Sequence, residues 1–268
     1  MTFVEFYQSV IMGLVEAATE FLPVSSTGHL ILADALLKFQ GPPGHVFEVA
    51  IQLGAVLSVC VLYFTRLTKV VIDLPRDAGA RHFAIASIVA CVPAALAGAL
   101  FHDTIKTVLF SPVVVCVALV IGGIAILLIE KWRPAPRVTS IEGMPYRTAL
   151  AIGLAQCLAL IPGVSRSGAT IMGALAAGVD RRTAAEFSFF QAIPLIAGAT
   201  VFDLWKARDA LDVSGMGMIA VGFVTSFVGA LAVIRWMLGY VTRHGFGVFA
   251  WYRIAAGCAG LAILLLSR

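Results

Sequence analysis

The stretch EAATEFLPVSSTGHL, Glu16 to Leu30, is polar where its surroundings are not. It carries two carboxylates, three adjacent hydroxyls, a histidine, a proline and a glycine within a long apolar run. Proline cannot supply an amide hydrogen bond and glycine weakens a helix, so a helix entering this stretch must break inside it. Lipid leaves no water to satisfy the freed backbone groups. Non-helical backbone at that depth survives only inside protein or facing a wet cavity. The stretch therefore implies a re-entrant hairpin: two short helices, within residues 8–37, that meet at a buried polar turn. A second interrupted segment, 147–178, has the same form around IPGVSRSG.

The rest of the chain agrees with life in a membrane. Of its 268 residues 60% are hydrophobic and only 13% are charged, against about 25% charged in soluble domains. The mean hydropathy is +0.97. Six uninterrupted runs, 46–64, 83–101, 112–130, 186–204, 216–238 and 249–267, are each about long enough to span the hydrocarbon core. The expected fold is an all-α integral membrane protein with six transmembrane helices and two re-entrant hairpins. A net charge of +4 is too modest to suggest nucleic acid. Cys60, Cys91, Cys116, Cys157 and Cys258 stand singly in apolar segments and read as small hydrophobes. The N-terminal MTFVEFYQSVIMG lacks the basic region and cleavage site of a signal peptide.

Loop charge sets an orientation. Arg66, Lys69, Arg76 and Arg81 follow the first span, and Lys131, Arg133, Arg137 and Arg147 follow the third. Arg181 and Arg182 precede the fourth, and Arg243 follows the fifth. If the hairpins re-enter without crossing, these residues share one side, the cytoplasmic one. Lys38, Lys106, Lys206, Arg208 and Arg268 belong to the other side, where both termini would also lie.

The halves repeat within a single membrane domain, 1–268. GLVEAATEFLPVSSTGHLI from Gly13 aligns without gaps on GLAQCLALIPGVSRSGATI from Gly153, an offset of 140 residues. GGIAILLIE from Gly122 resembles AGLAILLLS from Ala259, and Glu48 corresponds to Glu186. The repeats, about 1–131 and 147–268, are joined by a loop at 132–146. Each holds one hairpin and three spans, so the second is inverted relative to the first. Such folds place a binding site near the midplane, where the repeats meet.

The two turns supply that site with chemistry. Ser25, Ser26, Thr27 and Gly28 in one, and Ser165, Arg166, Ser167 and Gly168 in the other, open short helices. Helix starts present free amides and partial positive charge to an anion. Arginine matches phosphate oxygens through its planar fork. Helix capping is the ordinary use of such serines. Glu16 and Glu20 share one helix face, and each charge at the bilayer centre costs roughly 2.5–3.5 kcal/mol. Their counterparts Gln156 and Leu160 are uncharged, so the fold itself does not require acids there. They suit a hard divalent cation, Mg²⁺ or Ca²⁺, or an ion pair with Arg166. His29, one turn past Ser26, is placed to exchange a proton with it or with a leaving oxygen. Glu48 and Glu186 read as structural ties between span and hairpin. His45, His82, His102 and His244 read as solvated.

EAATEFLPVSSTGHLIL and PGVSRSGATI closely resemble the two signature motifs of the undecaprenyl-diphosphate phosphatase family, the bacitracin-resistance proteins of bacteria. The resemblance covers nearly the whole chain. It implies hydrolysis of undecaprenyl diphosphate to the monophosphate, recycling of that lipid carrier for peptidoglycan, dependence on a divalent cation, and an active site open to the periplasm. By that resemblance the acid motif falls on Glu16 and Glu20, the hydroxyl and histidine motif on Ser25, Ser26, Thr27 and His29, and the arginine motif on Ser165, Arg166 and Ser167. Ala17 and Ala18 stand where many relatives are expected to have Gly-Leu, a difference in helix packing. The expected mechanism is attack by Ser26, assisted by His29, on the terminal phosphorus. Direct attack by water activated by Glu20 or His29 is the rival route, and a transporter of anionic lipid is the rival function. The partners are the polyprenyl diphosphate and membrane lipid, and a homo-oligomer is compatible with both.

Overall fold

In a computed structural model the described residues are 1–42, 46–104, 109, 111–207 and 215–266, with the side chains of 102–104 and 202–207 outside the description. His45, Lys106, Arg208 and Arg268, and the side chains of His102 and Lys206, thus lie outside the described residues. Among the described residues the fold is helical, with only an isolated bridge between Val138 and Val179. The helices are α1 (Phe3–Thr19), α2 (Ser26–Leu37), α3 (Val46–Leu62), α4 (Phe64–Asp73), α5 (Ala78–Thr104) and α6 (Pro112–Trp132). They continue as α7 (Tyr146–Gln156), α8 (Arg166–Ala176), α9 (Arg181–Ala207), α10 (Met216–His244) and α11 (Gly247–Leu266).

Five of these helices are long and apolar enough to cross a membrane, and six if the bent pair α3 and α4 counts as one span. The chain is a multi-pass membrane protein. Both expected interruptions are present. α1 stops before Pro23 and α2 resumes at Ser26. α7 tightens into a 3₁₀ turn, Cys157–Leu160, and α8 begins at Arg166. Each interrupted pair packs against itself, α1 on α2 and α7 on α8.

The loop expected after the first span is instead a helix, α4, bent 74° from α3. Phe64, Leu67 and Val71 recur on one face of α4 and Arg66 and Lys69 on another, the pattern of a helix lying at an interface. Arg66 reaches Glu142 in the 133–145 segment and Glu186 of α9 at 3.5 Å. Glu186 therefore ties α9 to α4 and to its own Arg182, rather than to a hairpin. His82 is also not simply solvated: its Nε2 lies 2.9 Å from the Met144 carbonyl and its ring packs on Tyr146. All five cysteines are free, Cys116 is buried and Cys258 is exposed.

Close helix contacts come from glycine. A Cβ on Gly13 of α1 would lie 2.6 Å from the Gly222 carbonyl of α10. A Cβ on Gly153 of α7 would lie 2.6 Å from the Ala90 carbonyl of α5. α6 and α11 pack with Gly123 against the Ala250 carbonyl and Gly257 against the Cys116 carbonyl. Small residues let backbones touch where no hydrophobic effect drives helices together in lipid. The tightly packed bundle brings the two interrupted turns into contact.

Candidate active site

One carboxylate joins the turns. Glu20, just past the end of α1 and 5% exposed, uses both of its oxygens. Ser26 donates its hydroxyl to Oε2 at 2.6 Å. Arg166, from the other half of the chain, donates Nη2 to Oε1 at 2.8 Å. Short bonds to an ionised acceptor are the strong kind. Arg166 is steadied from behind by α9, since Nη1 donates to the Ser188 carbonyl at 2.7 Å. Its Nε is buried and without a partner. Thr170 donates to Ser188 Oγ at 2.7 Å and locks that corner.

Both turns hold a serine with left-handed backbone: Ser25 at φ 75° and Ser165 at φ 76°, 140 residues apart. Such conformations cost a non-glycine residue about 1–3 kcal/mol and cluster at functional sites. The two serines then differ. Ser165 Oγ accepts from the Gly168 amide at 3.0 Å, an ordinary cap, and sits 3.0 Å from Ser167 Oγ. Ser25 makes no such bond, which leaves the first amides of α2 uncapped by its side chain. Ser167 donates to the Leu22 carbonyl at 2.8 Å, so the second turn grips the first. Gly28 is buried, and a Cβ there would lie 3.1 Å from the Val115 side chain. Thr27 is exposed and stands apart from the cluster.

The structure places the hydroxyl of Ser26 on Glu20 and not on His29. His29 Nδ1 lies 2.8 Å from the Ser25 carbonyl and Nε2 lies 2.5 Å from Tyr252 Oη. A carbonyl only accepts, so Nδ1 carries a proton, while Nε2 shares its hydrogen bond with the Tyr252 hydroxyl. Both nitrogens are engaged, and the ring steadies the turn. Glu16 is fully buried, and neither of its oxygens has a partner. A buried carboxylate without partners is costly, so Glu16, like Arg166 Nε, lacks its complement in the site. Among the described residues no cluster of three or more His, Cys, Asp or Glu side chains could hold a metal ion by itself. Beside the first turn runs an apolar groove of about 350 Å³, walled by Leu22, Val24, Trp236, Tyr240, Phe249 and Tyr252.

The family model of the bacitracin resistance protein BacA matches residues 9–259. The chain belongs to the BacA family. Within that family it is 55% identical over 262 residues to the undecaprenyl-diphosphatase of Parvibaculum lavamentivorans, covering 98% of each chain. It is 51% identical over 258 residues to that of Cereibacter sphaeroides and 55% over 258 residues to that of Rhizorhabdus wittichii, covering 96% of each chain.

Two residues of this BacA-family site are not among those read from the sequence motifs. Tyr252 holds His29, and Arg253, beside it on α11, is a buried arginine at 1% exposure. The available signal was a charge inside the apolar run 249–267, because an ionisable residue within a span is a functional candidate by default.

Proposed function

We infer that this chain hydrolyses undecaprenyl diphosphate to undecaprenyl phosphate and inorganic phosphate. This recycles the carrier lipid for peptidoglycan synthesis and accords with the bacitracin resistance of its family. The observation that carries the reading is the pair of bonds on Glu20, which gathers a nucleophile from one turn and a phosphate-matching arginine from the other.

Ser26 is the nucleophile and Glu20 its base. The hydroxyl gives its proton to Glu20, Oγ bonds to the terminal phosphorus, and the bond to the lipid monophosphate breaks. Water then attacks the phosphoserine, the bond from phosphorus to Ser26 Oγ breaks as Glu20 returns its proton to that oxygen, and the phosphate leaves carrying the protons of the water. Arg166 Nε and the uncapped amides of α2 hold the phosphoryl oxygens. Charge stabilisation of this kind supplies most of the catalysis in phosphoryl transfer. Ser165, Ser167 and Gly168 shape the second turn against the first, and His29 fixes the backbone of Ser25.

A divalent cation fits the chain at Glu16. Mg²⁺ and Ca²⁺ take oxygen ligands and complete their shells with water and phosphate. One unpartnered carboxylate, with Glu20 on the same helix face, suits that habit. When bound, the cation would neutralise diphosphate charge. The prenyl tail lies in the apolar groove, whose wall residue Val24 adjoins Ser25.

The same reading includes six spans and two re-entrant hairpins related as an inverted repeat. It is supported by exchanged packing: α1 lies on α10 as α7 lies on α5, and α6 lies on α11. The ion pairs that gather Arg66, Arg181, Arg182, Glu130, Glu142 and Glu186 support one basic, cytoplasmic end. The site then opens to the periplasm of the cytoplasmic membrane, with both termini on that side.

Purified protein should release phosphate from undecaprenyl diphosphate, and a chelator should reduce that release with recovery on adding Mg²⁺ or Ca²⁺. No release by folded protein under any of these conditions would overturn the hydrolytic reading.

A further inference from the structure

Arg253 lies on α11, outside both turns, yet its guanidinium reaches both. Nη1 donates to the Pro23 carbonyl at 2.9 Å and to the Val164 carbonyl at 2.8 Å. Nη2 donates to the Gly163 carbonyl at 2.9 Å and the Ala118 carbonyl at 3.1 Å. Nε donates to the Leu119 carbonyl at 3.3 Å. An arginine has five N–H donors, and here five main-chain carbonyls take them. No N–H remains for substrate, and no carboxylate pairs with the charge in any described ion pair.

The acceptors are informative. Pro23 lies two residues before Ser25, and Val164 directly precedes Ser165. Both flanked serines adopt left-handed backbone. A loop carbonyl inside the bundle needs a donor, and one side chain supplies it to both turns. The seat is kept clear by Gly122 of α6: a Cβ there would lie 2.1 Å from Arg253 Nη2, and its nearest neighbours are all guanidinium atoms. Gly168 of α8 also approaches, its Cβ position being 3.3 Å from Nη1.

We infer that Arg253 is a positioning residue for the hydrolysis: it binds the two serine turns to each other and so sets the distance between Ser26 and Arg166. This rests on the hydrolytic reading and extends it to a residue that touches no reacting atom. Misplacing reacting groups by about 1 Å can cost about 10²-fold in rate, and the loss should fall on kcat because the phosphate-binding donors themselves remain.

The test uses full-length protein in detergent with undecaprenyl diphosphate, and compares Arg253→Met, Arg253→Lys, Gly122→Ala and the double variant Arg253→Met with Gly122→Ala. Arg253→Met should lose about a hundredfold in kcat with KM within about threefold. Arg253→Lys should recover only part, because one ammonium with three donors cannot span both turns. Gly122→Ala, which displaces only the guanidinium, should lower kcat at least tenfold. The double variant should be no worse than Arg253→Met alone, the mark of two changes acting through one contact. If Arg253→Met does not fold, Gly122→Ala decides alone. Folded Gly122→Ala with kcat within threefold of wild type overturns the proposal, as do losses confined to KM or losses that multiply in the double variant. Wild-type protein that releases no phosphate would instead overturn hydrolysis itself.

Discussion

At the scale of residues, the site turns on how Glu20 divides its two oxygens. Oε2 takes the proton side of Ser26 and Oε1 faces the cation of Arg166. The arginine balances the charge of the carboxylate, and the carboxylate accepts from the serine. Glu20→Gln keeps the shape but removes the base proposed for Ser26 and unbalances Arg166. General-base loss is worth about 10²–10⁴-fold, so kcat should fall in that range, measured by phosphate release. His29→Gln should cost far less, no more than about tenfold, because its ring serves the Ser25 carbonyl and Tyr252 rather than the Ser26 hydroxyl. The sequence made these residues visible as a group, through polar side chains at a helix break. It did not make their pairing visible. Spacing puts His29 one turn from Ser26, whereas the left-handed Ser25 sets how α2 leaves the turn and delivers the hydroxyl to Glu20.

At the scale of elements, the two helix breaks were legible because proline, glycine and serine interrupt apolar runs in both halves. α4 was not, because its ten residues are too few to read as a span and its Arg66 and Lys69 read as loop charge. Its tie to the 133–145 segment has a testable consequence. Partial burial works to raise the pKa of Glu142, but hydrogen bonds from Arg66 and Ser140 outweigh it and hold the carboxyl below its usual value. A carboxyl lowered on folding stabilises above its unfolded pKa, about 4.3, and loses that contribution as pH falls through the lowered value. Acidification below about pH 4 should therefore loosen this segment first in wild type, and Glu142→Gln should flatten that response in proteolysis of residues 133–145. The helix crossings make a second prediction. Gly13→Ala and Gly153→Ala each drive a methyl into a facing carbonyl. Overpacking costs about 1–3 kcal/mol, so each should lower the midpoint of thermal unfolding in detergent.

At the scale of the molecule, the two halves contribute unlike parts to one site. The first brings Glu16, Glu20, Ser26 and His29, and the second brings Arg166 with the turn that braces it. Related turns end in similar backbone but different side chains, so one half carries the acids and the Ser26 hydroxyl and the other carries Arg166. The internal similarity was legible because the turns repeat without gaps. The role of Arg253 was not, because its partners are carbonyls, which every residue has and no motif records. The glycine that makes room for it, Gly122, gains its meaning only from the packing of α6 on α11. The central claim is that Ser26 attacks phosphorus with Glu20 as its base. The most direct measurement is the rate of phosphate release from undecaprenyl diphosphate by folded Ser26→Ala protein beside wild type. Attack by Ser26 predicts a fall of about a thousandfold or more, since both nucleophile and proton transfer are lost. A rate within tenfold of wild type would contradict it and leave water as the attacking group.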